Sequence, residues 1–205
     1  MQPAFGVIGL GRMAQALVVP LLESGRLRPD QLLAVVGGSG SLEQRREALP
    51  AGIGLVCADD PSGQQVWSAP VQLLAVKPQQ LDAVAAAAGP VAGQPLLISV
   101  LAGVSLARLQ RLFPAHRCVR AVPNTPALVG AGLTALAWGE GIEQEQRDQV
   151  RQLFADVGEV LELAEAKLDA FLALTSSGPP LWPWWRKPWL MELLLPVCPG
   201  IWPCG

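Results

Sequence analysis

The stretch FGVIGLGRMAQAL, residues 5–17, joins a short apolar run to a segment of helical period through a glycine-rich turn. Its pattern Gly-x-Gly-x-x-Ala, residues 9–14, follows the predicted strand directly. The first glycine permits a tight turn, the second lets the backbone approach a pyrophosphate, and the alanine allows close packing of helix on strand. The helix N-terminus adds an anion site. The stretch predicts a dinucleotide-binding unit, and a plain strand-to-helix turn is the alternative.

The same alternation of apolar runs and helical segments continues to about residue 137, as in βαβ units around a parallel sheet. The predicted strands are FGVI, LLAVV, IGLVC, VQLLAV, PLLISVL, CVRAVP, LTALAW and EVLEL. Helices are predicted at residues 13–24, 42–49, 79–88, 106–112 (with Ser105 as N-cap) and 143–157. Right-handed crossovers make this a doubly wound, Rossmann-like α/β fold with a parallel sheet. A new apolar helix, LDAFLALT, follows, so we expect one domain over residues 1–165 and the start of another at residue 166.

Composition argues against several classes of function. A net charge of −2 gives no basic field for nucleic acid. Four scattered cysteines and the single His116, expected in an exposed turn, form no metal-ligand cluster and no Ser-His-Asp arrangement. The N-terminus lacks the features of a signal peptide, and no eighteen apolar residues run together. We expect a soluble, cytoplasmic protein with reduced thiols and no metal.

The end of the second strand bears on the choice of cofactor. NAD sites place an Asp or Glu there for the ribose diol, whereas this chain has GGSGS, residues 37–41, including Ser39. Arg45 and Arg46 lie just beyond. Hydroxyl and guanidinium groups without an acid favour the 2′-phosphate of NADP. The alternative is a flexible loop followed by a solvated helix face.

Two further stretches end predicted strands, where open α/β sheets bind ligands. They are AVKPQ, residues 75–79, and VPNTP, residues 122–126, in which prolines fix the backbone beside Lys77 and around Asn124. Both could be mere strand terminators. Their joint position at the expected cleft, in a chain without paired carboxylates, favours hydride transfer, because the cofactor then supplies the reactive atom.

These pieces resemble the family of pyrroline-5-carboxylate reductases. The matching segments are IGLGRMAQAL (8–17), LLAVKPQ (73–79), ISVLAGVSLARL (98–109), RAVPNTPALVGAGLTAL (120–136) and LDAFLALTSSGP (168–179). The resemblance implies a Rossmann domain followed by an all-helical domain that forms a homo-oligomer and builds the substrate site. Residues 166–179 would begin that helical domain.

The resemblance also implies a reaction and a set of site residues. The family reduces the cyclic imine 1-pyrroline-5-carboxylate to L-proline with NADPH, or with NADH in some members. Hydride attacks imine carbon C5, and an iminium formed in solution brings its own proton, so no dedicated acid is required. Asn124 would lie near nicotinamide and substrate, and Ser177 in the turn that opens the helical domain. Cofactor contacts would come from Gly9, Leu10, Gly11, Arg12, Met13, Ala14, Ala75, Val76, Lys77, Pro78, Val100, Leu101 and Ala102.

The tail, residues 180–205, departs from the family. Five of the seven tryptophans and seven of the nineteen prolines lie after residue 178. Each tryptophan codon, TGG, read one base earlier, becomes a codon for Leu, Val or Met followed by one beginning with G. One permitted codon choice yields AFVALVAEALADGAAAAGVPRDLALR, a helical and family-like continuation.

We interpret the tail as a frameshift caused by one base lost in a cytosine run at residues 178–179. It would not be natively folded, and the 205-residue chain as written would have little or no reductase activity. A disordered Pro-rich end and an aromatic interaction patch are alternatives for the tail. For the chain, the alternatives are another NADP-dependent imine or 3-hydroxyacid reductase and a non-catalytic nucleotide-binding module.

Overall fold

The predicted strands assemble into one eight-stranded sheet in a computed structural model that describes residues 3–47, 49–89 and 91–176. The strands are β1 Phe5–Ile8, β2 Leu32–Val36, β3 Gly54–Cys57, β4 Val71–Leu74, β5 Leu96–Ser99, β6 Arg117–Val122, β7 Gly132–Trp138 and β8 Gly158–Glu162. The helices are α1 Arg12–Glu23, α2 Ser39–Glu47, α3 Leu81–Ala87, α4 Leu106–Leu112, α5 Gln144–Ala155 and α6 Leu168–Ser176. All eight predicted strands are therefore confirmed.

The strand order β3-β2-β1-β4-β5-β6-β7-β8 is that of a doubly wound sheet. The order in which strands are added to the sheet reverses between β1 and β4, which are parallel neighbours. Strands β1 to β6 are parallel, as predicted.

The sheet departs from the parallel arrangement at one position. β7 runs antiparallel to β6, and β8 runs parallel to β7. The connection from β6 to β7 contains only the short 3₁₀ helix Thr125–Val129 and a few flanking residues. A parallel crossover needs a dozen or more residues, so this connection can only turn the chain back.

The helices differ from prediction mainly at their ends. α4 has the predicted bounds, and the hydroxyl of Ser105 caps it by accepting from the Arg108 N–H at 3.3 Å. α2 begins at Ser39, three residues before its predicted start. Between β3 and β4 the chain forms a 3₁₀ helix, Pro61–Ser68, which periodicity did not predict. No helix in the described ranges is long and apolar enough to cross a membrane.

Two apolar layers cover the two faces of the sheet. One contains side chains of α1 and α5, among them Leu17 and Phe154. The other contains side chains of α3, α4 and α6, among them Leu81 and Leu109. Phe171 of α6 is 3% exposed in this second layer, so α6 packs directly on the sheet. The domain boundary at residues 165–166 stays a prediction.

Candidate functional site

Three loops leave the sheet from one edge because the strands that precede them end in register. Ile8 is paired with Leu74, and Leu74 with Ser99. The ladder continues one step further, since the Ala75 N–H donates to the Ile8 carbonyl at 2.8 Å and the Val100 N–H to the Leu74 carbonyl at 3.0 Å. The predicted cofactor segments 9–14, 75–78 and 100–102 thus begin side by side at the carboxyl edge.

Gly9 makes the first of these turns possible. Its φ is 87°, in the left-handed region that favours glycine. A Cβ there would lie 2.8 Å from Val76 Cγ1 and 2.9 Å from the Ala75 carbonyl oxygen. The turn after β1 and the loop after β4 therefore touch, and only glycine allows the contact.

Gly11 has a different environment from Gly9. It is the N-cap of α1 with φ −75°, which any residue can adopt. A Cβ on Gly11 would meet nothing within 4 Å. The backbone at Gly11 therefore faces open space, as the approach of a pyrophosphate requires.

The N-terminus of α1 has the chemistry of an anion site. The first helical bond here joins the Gln15 N–H to the Gly11 carbonyl at 3.0 Å, so the three preceding N–H groups have no partner within the helix. No side chain caps this terminus, and its first turn contains no acidic residue. Arg12 is exposed in that turn, and Ala14 is fully buried against the sheet. These features fit a dinucleotide pyrophosphate.

The predicted cofactor residues do not all present side chains to this edge. Leu10 and Leu101 are 3% and 2% exposed and belong to the two cores, so they can meet a ligand only through the backbone. Met13, Ala75, Val76 and Val100 are partly buried, whereas Lys77, Pro78 and Ala102 are exposed. The exposed side chains among these predicted residues include two long cationic ones, Arg12 and Lys77.

The helix after β2 begins closer to the end of that strand than the sequence predicts. Ser39 is the first residue of α2, and its side chain lies outside what the structure describes. Arg45 and Arg46 lie in the last turn of that helix. Six residues at about 1.5 Å each separate Ser39 from Arg45, roughly 9 Å along the axis. The backbone of residues 37–39 directly follows β2, and the two arginines lie at the other end of α2.

Asn124 follows β6 and is held in one orientation. Its Oδ1 accepts from the Leu133 N–H at 2.8 Å, and its side chain is partly buried. Because the oxygen is engaged, the amide NH₂ group faces away and can donate to a ligand. Gly132 allows the loop to fold back, since a Cβ there would lie 2.8 Å from Ala127 Cα. Ser177, the other predicted catalytic residue, lies outside the described residues.

His116 is partly buried, so the expectation of an exposed turn is wrong. Its ring packs edge-on against Trp67 and Phe113. Its Nε2 lies 3.1 Å from Gln72 Oε1. The Nε2 of Gln72 donates to the carbonyl oxygens of Trp67 and Ala69. Burial lowers the pKa of His116 to about 4. The imidazole is therefore neutral and structural.

A charge network surrounds the buried Arg120 and was not predicted from the sequence. Arg120 of β6 is 4% exposed and pairs with Glu165 and Asp169. The available signal was a charged residue inside the apolar run CVRAVP, which predicts a paired guanidinium but not its partners.

Burial also raises the pKa of the neighbouring Cys118 thiol to about 12, which makes it a poor nucleophile.

The fold and the turn after β1 define a Rossmann-type chain with a candidate dinucleotide-binding edge. The family model described as NADP oxidoreductase, coenzyme F420-dependent, matches residues 4–103. The chain is 41% identical over 175 residues to the pyrroline-5-carboxylate reductase of Synechocystis sp., covering 85% of this chain and 63% of that protein. It is 34% identical over 181 residues to that of Mycobacterium tuberculosis, covering 84% and 59%.

Solved structures give the same result. A pyrroline-5-carboxylate reductase from Coxiella burnetii superposes with a TM-score of 0.73 at 27% identity, over 96% of this chain and 70% of that chain. A Plasmodium falciparum pyrroline carboxylate reductase with NADP bound has a TM-score of 0.72 at 20% identity, covering 95% and 69%, which shows the fold alone. The resemblance is thus confirmed: the chain is related to the pyrroline-5-carboxylate reductases. It spans about three fifths of the curated relatives above, 63% and 59% of their lengths.

Proposed function

We propose that this chain carries the cofactor-binding part of an NADPH-dependent reductase that converts 1-pyrroline-5-carboxylate to L-proline, the last step of proline biosynthesis. One observation supports this proposal above the others. The open Gly11 backbone and the uncapped α1 N-terminus lie at the same carboxyl edge of the sheet as the loops after β4 and β5, in a chain 41% identical to such a reductase over 175 residues.

Each segment of the carboxyl edge has a separate role in the proposed enzyme. The N–H groups of Arg12, Met13 and Ala14 bind the pyrophosphate. Residues 37–41 receive the ribose 2′-phosphate, since no acidic side chain there opposes it. The loops at 75–78 and 100–102 border the nicotinamide half. Bound NADPH supplies the hydride that reduces the C=N bond.

Asn124 positions the reacting groups by donating from its NH₂ group to a carboxylate or carboxamide oxygen. Its own oxygen is fixed on Leu133, so the donor direction is set before a ligand arrives. Ser177 also takes part, as the resemblance to the family implies. The substrate iminium carries the proton for the ring nitrogen, so the chain needs no dedicated general acid.

The same proposal implies the substrate class, the compartment, the oligomer and the cofactor preference of the enzyme. The substrate is a small molecule, and the compartment is the cytoplasm. A second copy of the frame-restored chain completes a homo-oligomer through the helical domain, whose dimer helices the 205-residue chain as written lacks. NADPH is preferred, and NADH is accepted more weakly. Neither nucleic acid nor a metal ion takes part.

The proposal is tested with the reading frame restored after residue 178. The purified product is mixed with NADPH and 1-pyrroline-5-carboxylate, and proline is measured by chromatography. We expect proline from the restored protein and little or none from the 205-residue chain, which nevertheless binds NADPH. Proline formation by the 205-residue chain would contradict the frameshift interpretation, and no proline from the restored protein would contradict the proposed substrate.

Two rival functions give different results in the same assay. Another NADP-dependent imine or 3-hydroxyacid reductase would oxidise NADPH with a different imine or keto acid and leave pyrroline-5-carboxylate unchanged. A reductive aminase from Aspergillus terreus shares the fold with a TM-score of 0.60, but its 16% identity does not favour that activity. A non-catalytic nucleotide-binding module would bind NADPH and turn over nothing in the restored form.

A further inference from the structure

We propose that Arg120 is a positioning residue for the nicotinamide half of the cofactor site, an inference that rests on the proposed function. Arg120 does not reach the carboxyl edge itself. It belongs to β6, beside Ser99 of β5, and lies four residues before Asn124. Its side chain is 4% exposed, on the face of the sheet that α4 and α6 cover.

The guanidinium of Arg120 joins β6 to the chain before and within α6. Its Nη2 lies 2.6 Å from Asp169 Oδ1, in the first turn of α6. Its Nη1 lies 3.5 Å from Glu165 Oε1, in the short 3₁₀ helix Glu165–Lys167 that precedes α6. One side chain of the sheet therefore fixes where α6 begins.

Glu165 extends the connection to a cofactor loop. The same Oε1 that faces Arg120 accepts from the Leu106 N–H at 2.5 Å, at the start of α4. The loop that leads into α4 begins with Val100, Leu101 and Ala102. Arg120, through Glu165, thus ties the strand that leads to Asn124 to the helix that follows residues 100–102.

This network specifies geometry more than it stabilises the fold. Buried ion pairs recover their desolvation cost only with complete hydrogen bonding, and the Arg120 Nε has no hydrogen-bond partner among the described residues. A guanidinium makes directional bonds from a planar fork, so it fixes the relative position of its partners. Asp169 is 73% exposed, which leaves that end of the network accessible to substitution.

The network adjoins only one half of the predicted site. In doubly wound folds the dinucleotide lies across the point where strand order reverses, here between β1 and β4. The adenosine half belongs to the β1–β3 side, and the nicotinamide half to the β4–β6 side. Residues 100–102 and Asn124 lie on the second side. Loosening the Arg120 network should therefore weaken contacts with nicotinamide and spare those with adenosine.

The test compares two ligands on the full 205-residue chain by titration calorimetry. NADPH contains both halves, whereas 2′-phosphoadenosine diphosphoribose lacks the nicotinamide. For Arg120→Met we expect the Kd for NADPH to rise about tenfold, with the Kd for the shorter ligand unchanged within about twofold. Arg120→Lys, which keeps the charge, should recover part of the NADPH affinity.

Two further variants keep the result interpretable. Asp169→Asn alters the exposed end of the network and should weaken NADPH alone by about threefold, which decides the question if Arg120→Met does not fold. Arg26→Met, which removes an exposed pair with Asp156 at 2.7 Å, should change neither affinity.

Equal losses for both ligands, or no loss in either network variant, would overturn the inference. A parent chain that binds neither ligand would overturn the proposed function first and the inference with it. A parent chain that binds both, with unselective variants, would leave the proposed function standing.

Discussion

Replacement of Gly9 and Gly11 by alanine should separate the two roles that the glycine turn combines. At Gly9 the positive φ of 87° strains any L-residue, by about 1–3 kcal/mol. The added Cβ would also lie 2.8 Å from Val76 Cγ1 and 2.9 Å from the Ala75 carbonyl oxygen. Backbone cannot yield easily there, so overpacking adds a further 1–3 kcal/mol or so. We expect Gly9→Ala to lower the free energy of unfolding by about 2–6 kcal/mol.

Gly11→Ala is the matched control, because its backbone is unstrained and its Cβ would meet nothing within 4 Å. Its stability should fall by less than about 1 kcal/mol, the loss expected at an N-cap. The new methyl group would nevertheless occupy the space that a pyrophosphate needs, so NADPH affinity should fall at least about tenfold.

The assay is urea denaturation followed by far-ultraviolet circular dichroism, with NADPH titration of each folded variant. Equal stability of Gly9→Ala and the parent would contradict the strain and crowding expected at Gly9. Unchanged NADPH affinity in Gly11→Ala would refute the placement of the pyrophosphate.

Three other predictions concern the site, the buried histidine and the tail. Asn124→Asp in the frame-restored protein keeps an acceptor for the Leu133 N–H but loses the NH₂ donor. The rate of proline formation should therefore fall about 100-fold or more, with the free energy of unfolding unchanged. Full activity of this variant would show that Asn124 does not belong to the site. Because burial lowers the folded-state pKa of His116 to about 4, the unfolded chain binds more protons below pH 6.5, and stability should fall from pH 6.5 towards pH 4. The loss of stability should reach about 1–3 kcal/mol for this partly exposed ring. In urea unfolding measured at several pH values, His116→Gln should show a smaller decrease of stability between pH 6.5 and pH 4. The same decrease in the variant and the parent would contradict the assignment to His116. Resequencing the codons of Gly178 and Pro179 should reveal a missing cytosine, and an intact frame would end the frameshift interpretation.

The sequence predicted most of the sheet because buried parallel strands are continuous apolar runs between turn residues. It could not assign the direction of β7, since an apolar run reads the same in both directions. The short β6–β7 connection was the available signal, because it contains little more than the 3₁₀ helix Thr125–Val129. The position of α2 was missed because Gly37 and Gly38 precede it and Gly40 lies within it, and glycine normally opposes a helix.

The backbone part of the site was predictable, whereas side-chain partners were not. Gly9 and Gly11 follow a strand at fixed spacing, so their roles are encoded locally. Arg120 and Glu165 lie 45 residues apart, and only the packing of α6 on the sheet brings them together. The burial of His116 likewise depends on Trp67, which belongs to the unpredicted 3₁₀ helix.

A structure of the 205-residue chain with NADPH bound would locate the cofactor relative to the carboxyl edge of the sheet. We expect pyrophosphate oxygens about 3 Å from the N–H groups of Arg12 and Met13, and the 2′-phosphate beside residues 37–41. It also predicts the nicotinamide next to residues 100–102 and Asn124. A cofactor bound away from the carboxyl edge, or a pyrophosphate distant from the α1 N-terminus, would contradict it.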